Sequence, residues 1–306
     1  MDRAQSGDVE IMAQLKVTDQ DYFIPGHLGC PGCGAAIAIK FALKALGEKT
    51  IMVMAASCAS IIAGPYPQSS VKVPVLHTAF ATGGAAASGV RAALEMKGDT
   101  ETTVVSWAGD GGTFDIGFQS LSGAVERNED CIFVCYDNEA YMNTGVQRSS
   151  STPFGVRTTT TPGRDWKKTR KKNIMETMAA HRIPYAATAS IAFPEDLIAK
   201  FEKAREKKGG SRFIHIFASC ATGWGAPSDM SVKIARLAVQ TNVFPLYEIE
   251  DGTRYTLNYK GDSRVEDYLQ TQGRFKHLSK KDISRIQDMV TEDWNHLLRK
   301  TGEVPS

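Results

Sequence analysis

The chain of 306 residues reads as an α/β protein: a parallel sheet with helices on both faces, followed by a C-terminal extension. Three observations predict this. Runs of β-type residues alternate with helix-type runs along most of the chain. Two of the helical runs are rich in alanine and glycine, which suits close packing. One buried-type strand runs straight into a Gly-Asp-Gly turn, as strands do at the carboxyl edge of such sheets.

The elements follow in order. Residues 34–46 (GAAIAIKFALKAL) form a small-residue apolar helix, and Gly47 stands where a C-cap is expected. Residues 51–54 read as a short buried strand and 82–97 as a second alanine- and glycine-rich helix. Residues 102–108 make the strand that enters Gly109-Asp110-Gly111, with a helix over 115–127 and a buried strand over 131–136 (CIFVCY). A polar loop over 137–165 is dense in Ser, Thr, Gly and Pro, and loops of that length are usually functional or disordered. Helices are predicted over 173–181, 194–208 and 229–240, with strands over 185–189 and 212–218. From 243 the pattern turns polar, with helices near 263–271 and 280–299. The expected organisation is an N-terminal arm (1–24), one α/β domain (25–242) and an extension (243–306) that packs on partner subunits.

Bulk composition, 42% hydrophobic and 23% charged, is that of a soluble globular chain. A formal charge of +2 gives no reason to expect nucleic acid or an anionic membrane as partner. The least polar stretch, 74–90, contains His77, Thr78, Thr82 and three glycines, too polar and too short to span a bilayer. The opening MDRAQSGDVEIM has no apolar core, so no secretory signal is expected. That implies a reducing cytoplasm, where six cysteines serve as thiols or metal ligands rather than disulfides.

Gly109-Asp110-Gly111 is followed twenty-eight residues after its aspartate by Asn138, at the end of the next strand. A hard divalent cation on a diphosphate needs oxygen ligands that the phosphates do not supply. Glycines let backbone approach closely, the aspartate stands at the strand end, and the helix that follows presents free N–H groups to phosphate. An isolated GDG would be an ordinary β-turn. The second oxygen donor at adjacent-strand spacing turns it into a candidate diphosphate–magnesium site, and the spacing resembles the thiamine-diphosphate fingerprint.

Cys30-Pro31-Gly32-Cys33 holds two sulfurs on a rigid turn, and Cys58 and Cys220 each follow a predicted strand. Thiolate ligation suits a [4Fe–4S] cluster or structural zinc; a lone CxxC also fits a redox dithiol, which leaves Cys58 and Cys220 unexplained. The set alone leaves all three open. Beside a thiamine site the cluster is the reading. Cys131 and Cys135, inside an apolar strand, read as small buried hydrophobes.

The segments GHLGCPGCG, WAGDGGTFDIGFQSLSGAVERNED, CYDNEAYMNTGVQRSSSTPFG and TTTTPG resemble the β subunit of 2-oxoacid:ferredoxin oxidoreductases, pyruvate or oxalate enzymes among them. The resemblance runs from about residue 25 to 273 and includes YLQTQGRFKHL near the end. It implies the diphosphate-binding half of the thiamine-diphosphate fold. It implies magnesium on Asp110, Asn138 and the carbonyl of Ala140, and cofactor contacts from Gly109, Gly111, Gly112 and Thr144. It also implies a [4Fe–4S] cluster on Cys30, Cys33, Cys58 and Cys220, with Asn143 over the reacting end of the cofactor as the catalytic amide. Pro31 stands where alanine is usual, SCASIIAGPYPQSSVKVPVLHTAF departs from the usual TGC-type segment, and Arg157 replaces an aromatic or small residue. These departures bear on the substrate: pyruvate, giving acetyl-coenzyme A and carbon dioxide, or oxalate, giving two carbon dioxides without coenzyme A.

Thiamine chemistry also requires a carboxylate for the aminopyrimidine, normally from a separate domain. The expected partners are therefore an α subunit that supplies the pyrimidine-binding half and substrate residues, a ferredoxin-like subunit with further clusters, and external ferredoxin. Coenzyme A joins them in the pyruvate case. Rival classes are a non-oxidative thiamine lyase or carboligase, which has no use for four placed cysteines, and a zinc-stabilised subunit without catalysis. Other features have plainer readings. The basic run 164–172 (RDWKKTRKK) reads as a solvated helix face, with ferredoxin or coenzyme A docking as the sharper option. His77 reads as a satisfied buried histidine, His27 as a turn cap or a donor to a cluster sulfur. Gln147 and Arg148 are candidates for partner contact, and Asp115, Glu126 and Glu129 for helix capping or solvation.

Overall fold

The computed structural model describes residues 20–304; MDRAQSGDVEIM and most of the arm over 1–24 lie outside them. A single sheet organises the described chain, in the order β2-β1-β3-β4-β6-β5-β7-β8. The parallel strands are β1 (Thr50–Ala55), β2 (Val75–Thr78), β3 (Thr103–Gly109), β4 (Ile132–Asp137), β5 (Tyr185–Ser190) and β6 (Arg212–Phe217). Two short strands, β7 (Tyr247–Glu250) and β8 (Arg254–Leu257), add an antiparallel hairpin beyond β5.

The strand period of two sorts side chains onto two cores. On one face Ile132, Val134 and Tyr136 of β4 meet α1 (Gly34–Leu46) and α6, which runs Pro194–Glu206. On the other, Cys131, Phe133 and Cys135 meet α3 (Gly83–Met96), α4 (Phe118–Glu126) and α5 (Ile174–Ala180). Cys131 and Cys135 are fully buried, as small hydrophobes. α1 has the predicted bounds with Gly47 as its C-cap. The helices α8 (Ser231–Gln240), α9 (Val265–Leu269) and α10 (Lys280–Thr301) lie where helices were predicted, and α10 opens on a capping box between Ser279 and Asp282. Among the described residues no helix is long and apolar enough to cross a membrane.

Several local expectations change. The helix predicted over 115–127 is split: a π-helical turn at Gly111–Asp115, in which the Ile116 N–H reaches the Gly111 carbonyl at 3.2 Å, precedes α4. Such wide turns recur at functional sites. A short helix, α2 (Cys58–Ala63), and the edge strand β2 are additional. His77 is exposed on that edge strand rather than buried. The sheet also crosses residue 243, where a polar extension was expected to begin. β7 buries Tyr247 and Ile249 while Glu248 and Glu250 pair with Lys203 on α6.

The basic run 164–172 is not a helix; it is an irregular strap in which Lys167 is buried and Lys171 half-buried, while Arg164, Lys168, Arg170 and Lys172 stay exposed. Lys171 Nζ lies 2.6 Å from Asp137 and 3.1 Å from Glu139, at the end of β4. Lys167 donates to the carbonyls of Ser150 and Thr152, Lys172 to that of Phe114, and Arg170 pairs with Glu292 and Asp293 on α10. Two fully buried carboxylates at a strand tip demand cations, and the strap brings them. Lys171→Met should therefore cost about 3–5 kcal/mol in urea unfolding. Lys168→Met, whose side chain is 63% exposed, should stay within about 0.5 kcal/mol.

Candidate active site

Strand order reverses between β1 and β3, so the tips of these neighbouring strands diverge and open a crevice at the carboxyl edge, the usual ligand position in open α/β sheets. Every predicted site residue lies along that edge or on the turn before α1. Cys58 follows β1, Asp110 follows β3, Asn138 follows β4 and Cys220 follows β6.

Two adjoining cavities result. The first, about 290 Å³, is lined by Gly109, Asp110, Gly111, Gly112, Asn138 and Ala140, with Tyr136, Tyr141 and Phe80 as aromatic walls and Asn143 and Thr144 at its rim. Glycine is required at 111 because a Cβ there would lie 2.5 Å from the Tyr141 ring. Asn143 and Thr144 are exposed on a tight loop closed by the Tyr141–Gln147 bridge. Gln147 is thus part of that closure, and the Arg148 N–H bonds Thr160 Oγ1 at 2.9 Å.

Asp110 and Asn138 are buried at 1% and 5% exposure. The Asn138 carboxamide oxygen faces two other acceptors, 3.1 Å from Asp110 Oδ1 and 3.0 Å from the Ala140 carbonyl oxygen. Rotating the amide would let its nitrogen donate to both, so in isolation the oxygen-inward orientation is unfavourable. A divalent cation among the three reverses that preference. Octahedral coordination at about 2.0–2.1 Å puts neighbouring ligands about 2.9 Å apart, close to the separations found. The residues present fit magnesium.

The surroundings of this trio were not legible from the sequence. Ser149 Oγ donates to Asp110 Oδ2. Burial, then the negative charge of Asp137, push the Asp110 carboxyl well above the ordinary range. Burial would raise Asp137 too, but the Lys171 charge and the His215 hydrogen bond hold it well below. Asp137 also accepts from Ser151 Oγ at 2.7 Å and from the Glu139 N–H at 2.9 Å. Asp115, read as a helix cap, instead accepts the Ser150 N–H at 3.0 Å. Glu126 is exposed, and Glu129 pairs with Arg127.

The second cavity, about 230 Å³ and mostly apolar, is lined by Cys30, Cys33, Cys58 and Cys220. It shares Cys58, Asn138, Met142 and Asn143 with the first. The CPGC turn is locked to the β6 exit by an isolated antiparallel backbone β-bridge between Cys33 and Cys220, whose thiols are free, and by the Gly34 N–H on Ser219 O at 3.0 Å. A Cβ at 34 would lie 2.6 Å from that carbonyl oxygen. Cys220 caps the four-residue turn α7 (Ala221–Trp224), its sulfur accepting the Gly223 N–H at 3.3 Å. Burial pushes the Cys58 thiol up to about 12 and the Cys220 thiol up to about 11. Cys30 is the exposed member. His27 caps the approach, its Nδ1 accepting the Gly29 N–H at 3.2 Å while its ring stacks on Phe23. Among the described residues no three of His, Cys, Asp and Glu are grouped closely enough to hold one metal ion.

Residues 55–216 match the family model described as "Thiamine pyrophosphate enzyme, C-terminal TPP binding domain". The chain is 50% identical to ketoisovalerate oxidoreductase subunit VorB of Pyrococcus horikoshii, over 96% of this chain and 98% of that protein. It is 48% identical to pyruvate synthase subunit PorB of Methanothermobacter thermautotrophicus, over 90% of this chain and 97% of that one. Among solved structures it is similar to a 2-oxoglutarate:ferredoxin oxidoreductase from Magnetococcus marinus, with TM-score 0.58 and 20% identity over 89% of this chain and 97% of that chain, a likeness of fold. The sequence resemblance and the thiamine fold agree: the chain belongs to the 2-oxoacid:ferredoxin oxidoreductase family, as a thiamine-diphosphate-binding β subunit.

Proposed function

We propose that this β subunit carries the oxidative decarboxylation of a small 2-oxo acid, with two electrons passed singly through a [4Fe–4S] cluster towards ferredoxin. The observation that carries this reading is the common wall of the two cavities. Cys58, Asn138, Met142 and Asn143 border both, so one layer of side chains separates the oxygen trio's crevice from the cysteine-lined one.

In this reading Asp110, Asn138 and the Ala140 carbonyl would hold Mg²⁺, and the N–H groups of Gly111 and Gly112 would be available to the diphosphate. Bound thiamine diphosphate supplies the nucleophilic carbon and the electron sink that decarboxylation needs. The chain's own residues orient and shield. Tyr141 and Phe80 wall the crevice, and the Asn143 amide donates to the oxyanion that develops on the substrate. Cys30, Cys33, Cys58 and Cys220 are the cluster ligands, with Met142 between them and the crevice. A single zinc with sulfurs at about 2.3 Å would need them about 3.8 Å apart, and the iron, sulfide and zinc content of the purified protein separates that alternative from the cluster. The same four thiols disfavour a non-oxidative lyase.

On substrate, pyruvate has a named relative behind it, and a branched 2-oxo acid has another. Oxalate has none among the relatives named above. The wider assembly is a hetero-oligomer with an α subunit and others, and the purified single chain is expected to show no turnover.

Three measurements test the reading. Anaerobically purified protein should contain iron and sulfide near four each per chain; zinc in their place would support the structural alternative. Asn143→Ala in the assembled complex should lower kcat by about 10²–10³, and unchanged turnover removes the amide from that role. Carbon dioxide release from pyruvate and from ketoisovalerate should depend on coenzyme A. Release from oxalate without it would reverse the substrate reading.

A further inference from the structure

Asn138-Glu139-Ala140 must present a side-chain oxygen and a main-chain oxygen to the same point. That requires an unusual backbone, and Glu139 has φ +65°, rare for a residue with a side chain. Such a conformation persists only when its surroundings hold it. Four contacts do so. The Glu139 N–H bonds Asp137 Oδ1 at 2.9 Å, and Thr152 Oγ1 donates to the Glu139 carbonyl at 2.8 Å. Lys171 takes one carboxylate oxygen of Glu139, and Arg274 takes the other.

Arg274 is distant in sequence and nearly buried, at 7% exposure. It lies in the short turn after α9, far from the GDG and asparagine motifs. Its guanidinium is held through Nε, Nη2 and one face of its plane. Nε donates to Gln272 Oε1 at 2.9 Å, Nη2 bonds Glu139 Oε2 and the Tyr268 hydroxyl, and the plane sits 3.8 Å from the Trp224 ring centre. Trp224 is the last residue of the turn capped by Cys220. Its indole N–H donates to the Asn138 carbonyl at 2.9 Å. The Gly273 N–H bonds the Gly225 carbonyl at 3.2 Å, which fixes the two segments together. One side chain therefore touches both braces of the tripeptide: the Glu139 carboxylate directly and the Asn138 carbonyl through Trp224.

We propose that Arg274 is a positioning residue for the metal site, which fixes the Asn138–Ala140 tip so that its two oxygens converge on Asp110. It touches neither cation nor substrate. This inference rests on the magnesium assignment above. Planar stacking and the paired hydrogen bonds make the role specific to arginine, since lysine keeps the charge but loses the plane.

The test uses the purified hetero-oligomer stripped of magnesium and thiamine diphosphate, then titrated with Mn²⁺ at fixed cofactor while free Mn²⁺ is read by electron paramagnetic resonance. Arg274→Met should weaken Mn²⁺ binding by about 10–100-fold, the usual loss when a residue supporting a ligand is removed. Arg274→Lys should fall between the two. At saturating Mn²⁺ and cofactor most of kcat should return, and the melting temperature of the stripped complex should drop less than that of the loaded one. Equal Mn²⁺ affinity in Arg274→Met and wild type overturns the proposal. So does a variant whose stripped complex melts early while its remaining folded fraction binds Mn²⁺ normally. If Arg274→Met fails to assemble, wild-type affinity in Arg274→Lys overturns it. Wild-type complex that binds no Mn²⁺ overturns the magnesium assignment as well, which separates the two failures.

Discussion

The Asp110 carboxylate, the Asn138 carboxamide and the Ala140 carbonyl converge at the tips of β3 and β4, and much of the surrounding chemistry holds that convergence in place. With its nitrogen inward Asn138 donates to both partners at 3.0–3.1 Å, whereas with its oxygen inward the three acceptors are costly inside a protein unless a cation joins them. The cost rises because Asp137 and Glu139, both buried, flank Asn138. The molecule answers from far along the chain. Lys171 comes from the strap after the polar loop, and Arg274 from beyond α9. With Ser151 and His215 they leave each flanking carboxylate oxygen with a donor or cation, while Thr152 Oγ1 donates to the Glu139 carbonyl and Ser149 Oγ to Asp110.

The cysteine cavity depends on the same edge but uses opposite physics. It is mostly apolar, its thiols are pushed towards neutrality by burial, and close backbone approach rather than charge sets its shape. Gly34 lets the CPGC turn press against Ser219, while Trp224 carries the geometry of the Cys220 turn across to Asn138. The two cavities are thus mechanically joined, one built by ion pairs and one by tight packing.

Much of this was readable from residues alone, where the signal was local. The helix Gly34–Leu46 has its predicted bounds because a small-residue run and a C-capping glycine are short-range features. The GDG turn and Asn138 lie together because consecutive parallel strands were each identifiable, and the four cysteines share a cavity because Cys58 and Cys220 follow strands while Cys30 and Cys33 sit on the turn before α1. The rest was hidden by distance. No periodicity in RDWKKTRKK says that Lys171 answers a carboxylate 34 residues earlier. Nothing near Arg274 names a glutamate 135 residues away. Tyr247–Glu250 and Arg254–Leu257 passed for a polar tail because a four-residue strand at a sheet margin shows only half an alternation before it ends. His77, read as a buried histidine, is exposed because β2, which carries it, is a border strand of the sheet.

That border has an implication for how the sheet ends. One margin is the four-residue β2 and the other the four-residue β8, where Arg254 is 63% exposed at its side chain. Margins this short, one of them charged, give a foreign strand little to register on, which guards a largely parallel core against aggregation by edge-to-edge growth.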